Sequence, residues 1–272
     1  MSLGFGLSGV HVFDIDGTLT KTGHPYWPAL SYHFAGVRAD ELRAIAEAWD
    51  KSDKGTGEAF IKTSHEMLEK GIKMFEGDVT GDTLRAKARE LTGTFIETGI
   101  IRPGAIEFLA DCINRGYICI LSTGSYEDGA YGFLDALVDK GLLQSSHLER
   151  VIVSGAIIDW SSRTVTHANI GSNKIKGLHQ KFLEKIGSPL SLDTISGIYV
   201  DDPAGNDSGL CELNPTKTYV IETERAIDKA ILSAKGHSFF NDWYELGFND
   251  SGFVFFRSRF PDSRLTSSLT FT

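Results

Sequence analysis

Short apolar runs alternate along this chain with segments in which apolar residues recur at helical spacing. The runs predict buried strands at residues 10–13, 117–121, 151–153, 198–200 and 218–221. Helical patterns separate several of them, notably over residues 105–115 and 174–186. Continuous apolar strands that alternate with helices predict an α/β fold with a parallel sheet covered on both faces. Such a sheet binds ligands beyond the carboxyl ends of its strands.

The segment from residue 27 to residue 98 departs from this alternation, because it carries helical periodicity alone. Apolar residues share one helix face over 42–49, and further helices are predicted over 58–70 and 83–95. Gly55-Thr56-Gly57 divides the segment into two arms. The pattern therefore predicts an all-helical insertion between the first two strands.

The last part of the chain is densely aromatic. Phe239-Phe240, Trp243-Tyr244 and Phe248 lie close together in it, and a helix is predicted over 226–234. We expect this extension, residues 223–272, to pack on the sheet edge or the core surface rather than to form a dimer arm.

Length, composition and charge exclude several function classes. The 272 residues can bury a full core, as one large domain or one domain with an insertion. Apolar residues make up 41% and charged residues 23% of the chain, which is typical of a soluble globular protein. The net charge of −9 argues against nucleic acid as a partner. No apolar run approaches the roughly 20 residues that span a bilayer, so no membrane partner is expected.

The three cysteines, Cys112, Cys119 and Cys211, form no close pair along the sequence. An odd and sparse set of this kind fits a reducing compartment better than a disulfide framework. The N-terminus also lacks the basic start and long apolar core of a signal peptide. We therefore predict a cytoplasmic location, while the sequence leaves the oligomeric state open.

Two carboxylates stand directly after the first predicted strand, in Asp14-Ile15-Asp16-Gly17-Thr18-Leu19-Thr20. Side chains alternate in direction along a strand, so Asp14 and Asp16 can share one site only where the strand ends. Two acids at such an end can bind a divalent cation, and they can also act as a nucleophile and a proton donor. The alternative is a solvated Asp-Gly turn.

Further polar groups follow the second strand and begin a later helix. Ser122, Thr123 and Gly124 come after the strand, where a hydroxyl and backbone N–H groups can bind phosphate oxygens, although a plain turn has the same composition. Lys174 opens the later helix, with Lys176 as a nearby competitor. A fixed ammonium there would screen an anionic nucleophile from an anionic substrate, whereas most lysines are solvated surface groups.

An acidic cluster follows the strand predicted at 198–200. It contains Asp201, Asp202 and Asp207. Carboxylate oxygens are hard ligands of the kind that Mg²⁺ takes, so the cluster is a candidate metal site at the same edge of the sheet. An acidic surface loop is the alternative.

These four groups resemble, in order, the four motifs of the haloacid dehalogenase superfamily. The position and helical character of the insertion are similar to the phosphoserine-phosphatase-like group, as are Val153-Ser154-Gly155 and Gly171-Ser172-Asn173-Lys174. The resemblance implies a Rossmann-like doubly wound parallel core with an inserted all-helical cap. The core would comprise residues 9–20 and 99–222, and the cap residues 21–98.

The resemblance also implies a role for each catalytic group. Asp14 would attack phosphorus as the nucleophile. Asp16 would act as the general acid that protonates the leaving alcohol and then as the base that activates water. Ser122-Thr123-Gly124 would bind the phosphate, together with the catalytic Lys174.

For the metal, the resemblance implies Mg²⁺ bound by Asp14, the main-chain carbonyl of Asp16 and Asp202. Asp207 would orient a ligand or the lysine, with direct binding of the metal as the alternative. Asp201 is an alternative ligand, because it adjoins Asp202 and stands where the family motif commonly has glycine.

The first residues of the cap do not carry the groups that would name a substrate. Phosphoserine phosphatases have a Glu here that binds the substrate ammonium, whereas this chain has Lys21-Thr22-Gly23-His24-Pro25-Tyr26 without an acid. His24, Tyr26 and Lys54 are candidates for a substrate-binding pocket in the cap, with cap packing or a solvated surface as the alternative.

The sequence thus predicts a Mg²⁺-dependent phosphatase that hydrolyses a small phosphorylated metabolite through an aspartyl-phosphate intermediate. The acid at position 16 disfavours a dehalogenase. A phosphomutase or phosphotransferase on the same scaffold is the nearest alternative. A non-catalytic binding protein with this fold is the other.

Overall fold

The computed structural model describes residues 8–21, 26–52, 57–221, 232–249 and 254–256. The candidate cap residues His24 and Lys54 therefore lie outside the described residues, as does most of the helix predicted over 226–234. The described part contains every residue of the four candidate motifs.

One large sheet runs through the described part of the chain. Its strands are β1 (Val10–Phe13), β2 (Ile118–Tyr126), β3 (Val151–Asp159), β4 (Thr164–His167), β5 (Ile195–Val200), β6 (Thr218–Ile221) and β7 (Ser238–Phe240). Their order is β4-β3-β2-β1-β5-β6-β7, and all neighbours are parallel except β3 and β4. The chain thus winds outward from β1 in both directions, which confirms the prediction of an α/β fold with a doubly wound sheet.

Helices accompany this sheet throughout the described residues. They are α1 (Tyr26–Ala35), α2 (Ala39–Lys51), α3 (Glu58–Lys73), α4 (Gly81–Glu97), α5 (Ala105–Asn114), α6 (Glu127–Asp139), α7 (Asn173–Ile186) and α8 (Ser208–Leu213). The helices predicted over 58–70, 83–95, 105–115 and 174–186 are all present, with ends that differ by at most three residues. Among the described helices, none is both long and apolar enough to cross a membrane.

The first four helices lie between β1 and β2, and the described residues contain no strand there. Thr20 and Ile101 form an antiparallel β-bridge, so the two ends of this helical segment lie side by side. The N–H of Lys21 also donates to Ile100 O at 2.9 Å. This arrangement supports our proposal that residues 21–98 form a cap inserted into the core.

Alternation along β1 sends its side chains to two sides of the sheet. Val10 and Val12 belong to an apolar core that includes Leu178 of α7 and Leu210 of α8. Phe13 belongs to a separate core that α5 and α6 cover. Both faces of the sheet are therefore buried, as expected for parallel strands of continuous apolar sequence.

The apolar pattern does not predict β4, β7 or the small antiparallel pair of β8 (Leu246–Phe248) and β9 (Val254–Phe256). β4 has a single apolar residue, Val165, and forms because β3 continues to Asp159 and the chain turns back onto it. β7 extends the sheet beyond β6 with residues of the aromatic extension. Such short strands depend on a neighbouring strand rather than on their own sequence.

The described part of the aromatic extension packs on the core. Trp243 is 1% exposed and stacks on Phe13, with ring centroids 6.0 Å apart. Phe240 packs edge-on against Trp243, whereas Tyr244 is 53% exposed. This packing supports our proposal that the extension covers the core.

Helices α4 and α6 approach so closely that Gly132 has no room for a side chain. A Cβ at Gly132 would lie 2.2 Å from Arg85 O and 2.7 Å from the Cβ of Ala88. We expect Gly132→Ala to lower the free energy of unfolding by about 1–3 kcal/mol, because a helix backbone must move to relieve the overlap. Urea unfolding followed by circular dichroism measures this loss.

Gly93, which lies within α4, provides the matched control. A Cβ there would contact only Cε of Lys140, at 3.8 Å. Gly93→Ala should therefore leave stability unchanged or raise it by up to about 1 kcal/mol, since alanine favours the helix more than glycine does. Equal destabilisation by both substitutions would contradict the close packing of α4 on α6.

Candidate active site

The loop after β1 brings Asp14 to the carboxyl edge of the sheet. Asp14 is 4% exposed, and its N–H donates to Tyr199 O of the neighbouring β5 at 3.0 Å. Ile15 O accepts hydrogen bonds from three following backbone N–H groups, so the chain turns tightly. Gly17 has a φ of +81°, and a Cβ there would lie 1.9 Å from Asp201 Oδ2, so this turn requires glycine. The turn thereby brings the first acidic pair beside the acidic cluster after β5.

Lys174 lies in the first turn of α7, is fully buried, and joins three parts of the site. Its Nζ donates to Asp14 Oδ1 at 2.8 Å, to Ser122 O at 3.0 Å and to Asp207 Oδ1. Burial lowers the pKa of an ammonium, but the Asp14 and Asp207 carboxylates outweigh this effect and raise the pKa of Lys174 above its usual value. Lys174 therefore stays charged, whereas Lys176 is exposed. The contact of Asp207 with Lys174 agrees with the orienting role expected for Asp207.

Asp14, Asp201 and Asp207 offer carboxylate oxygens that all lie within 4.8 Å of one another. Burial, and then repulsion from Asp14, raises the pKa of Asp201 to about 9 and the pKa of Asp207 to about 8. Carboxylates this close are unfavourable together unless a cation shares them. The set can therefore hold a hard divalent ion such as Mg²⁺.

Asp202, which the sequence resemblance assigns to the metal, is not part of this cluster. Its Oδ2 accepts a hydrogen bond from Asn206 N at 2.8 Å within the loop that follows β5. Successive residues of an extended chain point in opposite directions, so only one of two adjacent carboxylates can point at Asp14. The structure brings Asp201 there, which favours the alternative ligand that the sequence left open over Asp202.

Asp16 lies beside Asp14 and is held by two hydrogen-bond donors. Tyr26 N donates to Asp16 Oδ1, and Thr123 Oγ1 donates to Asp16 Oδ2 at 3.3 Å. Burial raises the pKa of Asp16 to about 6, although both donors oppose this rise. The carboxyl group can therefore gain and lose a proton near neutral pH.

A bulge in β2 supplies the loop that faces these acids. Ser122 pairs with Ser154 and Tyr126 pairs with Ala156, so three residues of β2 stand opposite one residue of β3. β2 therefore continues past Ser122, where the sequence predicts its end. The bulged residues, 123–125, include the donor to Asp16 and two of the three groups expected to bind phosphate.

Asn169 holds this bulge in place, and sequence reasoning missed it. Its side-chain nitrogen donates to Ser122 Oγ at 3.3 Å, to Thr123 O at 2.9 Å and to Ser154 O at 2.9 Å. Asn169 is fully buried. The available signal is the amide itself, which stands in an otherwise apolar stretch, Ala168-Asn169-Ile170.

Three further side chains support the loop that carries Asp14. Thr18 Oγ1 donates to Asp14 Oδ2 at 3.2 Å. Arg102 donates to Gly17 O at 2.8 Å, and Trp243 Nε1 donates to Thr18 O at 3.2 Å. Arg102 and Trp243 are remote from this loop in sequence, so no local motif identifies them, whereas Thr18 belongs to the first motif itself.

These groups border a cavity of about 480 Å³, a size typical of small-molecule sites. Asp14, Asp16 and Gly124 line it from the sheet side. Trp27 and Trp49 line it from the helical insertion. The cavity therefore joins the acidic groups at the strand ends to an apolar surface of the proposed cap.

Tyr26 is the one candidate cap residue that lies within the described part of the chain, and its side chain packs inside the insertion. Its ring is 1% exposed, and its hydroxyl forms hydrogen bonds with Ala88 O and Thr92. Its backbone N–H reaches the site, at Asp16. The Tyr26 side chain therefore fits a packing role inside the helical insertion better than a contact with substrate.

A family model for haloacid dehalogenase-like hydrolases matches residues 11–180 of this chain. The matched region includes Asp14, Asp16, Ser122 and Lys174 and ends before the acidic cluster that follows β5. No curated protein matches the chain significantly.

Solved structures share the fold at low sequence identity. A protein of unknown function from Bordetella pertussis Tohama I is 16% identical, with a TM-score of 0.58 over 85% of this chain and 97% of its own. Cytosolic 5'-nucleotidase IIIB bound to cytidine is 11% identical, with a TM-score of 0.57 over 86% of this chain and 81% of its own. A substrate-bound phosphoserine phosphatase is 16% identical, with a TM-score of 0.50 over 87% of this chain and 95% of its own.

Proposed function

The chain belongs to the haloacid dehalogenase-like hydrolase family, and from this membership we propose that it is a Mg²⁺-dependent phosphatase for small phosphomonoesters. The observation that carries the proposal is the contact between Asp14 and Lys174, two buried residues that are 160 positions apart. A carboxylate that borders a cavity and is held beside a charged ammonium suits attack on a phosphate anion. The cavity volume of about 480 Å³ suits a small phosphorylated metabolite.

The reaction proceeds in two steps. In the first, a carboxylate oxygen of Asp14 bonds to phosphorus while the bond from phosphorus to the ester oxygen breaks, and Asp16 donates its proton to the leaving alcohol. In the second, Asp16 takes a proton from water as the water oxygen bonds to phosphorus and the bond from phosphorus to Asp14 breaks, which releases inorganic phosphate and restores the Asp14 carboxylate. A pKa of about 6 allows Asp16 to serve as acid and then as base.

Lys174 and the β2 bulge position the phosphate. Lys174 lowers the pKa of Asp14 against the effect of burial, which favours its ionised form, and reduces the repulsion between its carboxylate and the incoming anion. Backbone N–H groups of Thr123 and Gly124 and the hydroxyl of Ser122 are our candidates to bind phosphate oxygens. Ser125 joins them, because its buried Oγ lines the cavity and has no partner among the described residues.

The acidic cluster fits a resident Mg²⁺. Asp14, Asp201 and Asp207 would hold the ion through their neighbouring oxygens, which explains how carboxyl groups with raised pKa values can share one place. When bound, the ion supplies positive charge that allows a carboxylate and a phosphate to approach each other.

A phosphotransferase or phosphomutase would use the same first step and then pass the phosphoryl group to an alcohol instead of water. A non-catalytic binding protein is disfavoured, because a nucleophile, a proton donor and a charged lysine are all held together at the cavity. Hydrolysis therefore remains the function that the site supports best.

A screen of small phosphate esters tests this proposal. We expect Mg²⁺-dependent release of phosphate from at least one ester, loss of activity in EDTA, and a radiolabelled phosphoenzyme that hydroxylamine cleaves. Transfer to an added alcohol in preference to water would favour the phosphotransferase. Absence of turnover for every ester would contradict the phosphatase function.

We also propose a reducing compartment such as the cytoplasm as the location of the protein. Cys112, Cys119 and Cys211 are all buried free thiols, which supports this location. Burial raises the pKa of the Cys112 thiol, so it stays protonated and unreactive.

Thr123 positions Asp16 through its hydroxyl, and this contact gives a testable prediction. Thr123→Val removes a donor that lowers the pKa of Asp16, so this pKa should rise above about 6. Because Asp16 must be protonated in the first step, the alkaline limb of the pH–rate profile should move to higher pH, and kcat should fall about tenfold. Measurement of kcat across pH reports both effects.

Thr123→Ser is the matched control, because it keeps the hydroxyl and removes only a methyl group. It should restore the pH–rate profile of the wild-type protein. A profile that does not shift in Thr123→Val would rule out the positioning role, whatever happens to the rate.

A further inference from the structure

The cavity at Asp14 has an aromatic wall on the side of the helical insertion. Trp27 and Tyr32 of α1 and Trp49 of α2 all line it, with Met67 of α3 beside them. A phosphate group does not need such side chains, so the wall is suited to the part of the substrate that leaves as the alcohol. Aromatic side chains bind flat rings through stacked or edge-on contacts. The wall therefore favours an aromatic leaving group.

Charge around the cavity restricts that leaving group further. On the side of the helical insertion, the described lining residues include two carboxylates, Glu47 and Asp50, and one cation, Lys51. Lys51 is itself paired with Glu47 at 3.7 Å. A leaving group that carries a negative charge would meet mainly like charge here, whereas a neutral or cationic ring would not. Cationic rings also gain from contact with the aromatic faces.

Ser64 provides a polar point within this wall. It lies on α3, is fully buried and lines the cavity. Its Oγ has no hydrogen-bond partner among the described residues. Buried hydroxyl groups normally have a hydrogen-bond partner, so a polar atom of the ligand can be the partner of the Ser64 hydroxyl.

We propose that the substrate is the phosphate ester of an aromatic alcohol whose ring is neutral or positively charged and carries a hydrogen-bonding group, an inference that rests on the phosphatase function proposed above. The ring lies against Trp27 and Trp49, its polar substituent meets Ser64, and its ester oxygen faces Asp16.

A matched series of esters with similar alkoxide leaving groups tests the substrate class. Benzyl phosphate should have a kcat/KM about five- to tenfold above that of cyclohexylmethyl phosphate, which is similar in size but not aromatic. 4-(Aminomethyl)benzyl phosphate should equal or exceed benzyl phosphate, and 4-carboxybenzyl phosphate should fall about tenfold below it. Equal values for the benzyl and cyclohexylmethyl esters, or a preference for the carboxylate, would overturn the proposal.

Variants of the wall test whether it causes the preference. Trp49→Leu should reduce the ratio of kcat/KM for benzyl over cyclohexylmethyl phosphate to about one. Tyr244→Leu is the matched control, because Tyr244 is an exposed aromatic residue outside the cavity lining, and the ratio should persist there. 3-(Hydroxymethyl)benzyl phosphate should have a higher kcat/KM than benzyl phosphate, and Ser64→Ala should remove this difference. A benzyl preference that survives Trp49→Leu would overturn the assignment of the wall.

Two probes separate failure of this inference from failure of the phosphatase function. Acetyl phosphate needs no aromatic pocket, so its hydrolysis without discrimination in the benzyl series would overturn the substrate class and leave the phosphatase function intact. If no ester is hydrolysed, binding of the product alcohols still tests the wall through quenching of tryptophan fluorescence. Quenching by 4-(aminomethyl)benzyl alcohol but not by cyclohexylmethanol would support it, and no difference between them would overturn it.

Discussion

Asp14→Asn is expected to lower kcat/KM by at least about 10³-fold for any ester that the wild-type protein hydrolyses. An amide oxygen is a far weaker nucleophile than a carboxylate, so no bond to phosphorus forms and no phosphoenzyme accumulates. The substitution is nearly isosteric, and an oxygen remains to accept the hydrogen bond that Lys174 donates at 2.8 Å. Steady-state rates with Mg²⁺ and trapping of the phosphoenzyme measure the two effects.

Asp135→Asn is the matched control for the loss of one carboxylate away from the site. Asp135 of α6 pairs with Arg85 of α4 at 2.6 Å, near the protein surface. Its loss should change kcat/KM by less than about twofold, because such pairs contribute little. If Asp14→Asn kept wild-type activity, the assignment of Asp14 as nucleophile would be wrong.

The pair of Asp14 and Lys174 illustrates how much of the site the sequence can predict. Each residue follows a recognisable signal, an apolar strand before Asp14 and the start of an amphipathic helix at Lys174. In a doubly wound sheet, the strand ends and the starts of the following helices lie at the same edge. The fold class therefore brings the two residues close together despite their separation in sequence.

The choice between Asp201 and Asp202 could not be made from the sequence for a specific physical reason. Both are acids and both follow β5, so composition and spacing do not distinguish them. Their orientation depends on the bend after β5, where Asp202 Oδ2 accepts a hydrogen bond from Asn206 N. That direction is a property of the whole loop rather than of any one residue.

The contacts of Asn169 and Trp243 could not be predicted from the sequence, for a different reason. Asn169 fixes the β2 bulge from the segment after β4, and Trp243 fixes the loop after β1 from the aromatic extension. Each contact joins two segments that have no shared pattern. Only the packed structure shows that these side chains meet, although the aromatic character of the extension predicts its burial.

Lys174→Met is expected to lower the free energy of unfolding by about 3–5 kcal/mol and to reduce turnover by at least about 10²-fold. Loss of the ammonium leaves Asp14 and Asp207 buried without the charge that they now share. The pKa of both should rise further, because Lys174 lowers the pKa of each of them. Without the ammonium, the folded state is destabilised most when Asp14 and Asp207 are ionised. The loss of stability should therefore be greater at about pH 9 than at about pH 6. Urea unfolding without Mg²⁺ at the two pH values measures it.

Lys140→Met isolates the effect of burial in this comparison. Lys140 pairs with Glu97 at 2.7 Å with side chains 41% and 66% exposed, whereas the Lys174 and Asp14 side chains are 0% and 5% exposed at 2.8 Å. Its loss should cost at most about 1 kcal/mol, because water screens exposed charges. Mg²⁺ should recover part of the stability of Lys174→Met, since a divalent cation can replace the missing charge between Asp14 and Asp207. An equally small loss in both variants would mean that the buried contacts of Lys174 stabilise the fold no more than a surface pair does. The Lys174 ammonium could then no longer be assigned to the site on electrostatic grounds.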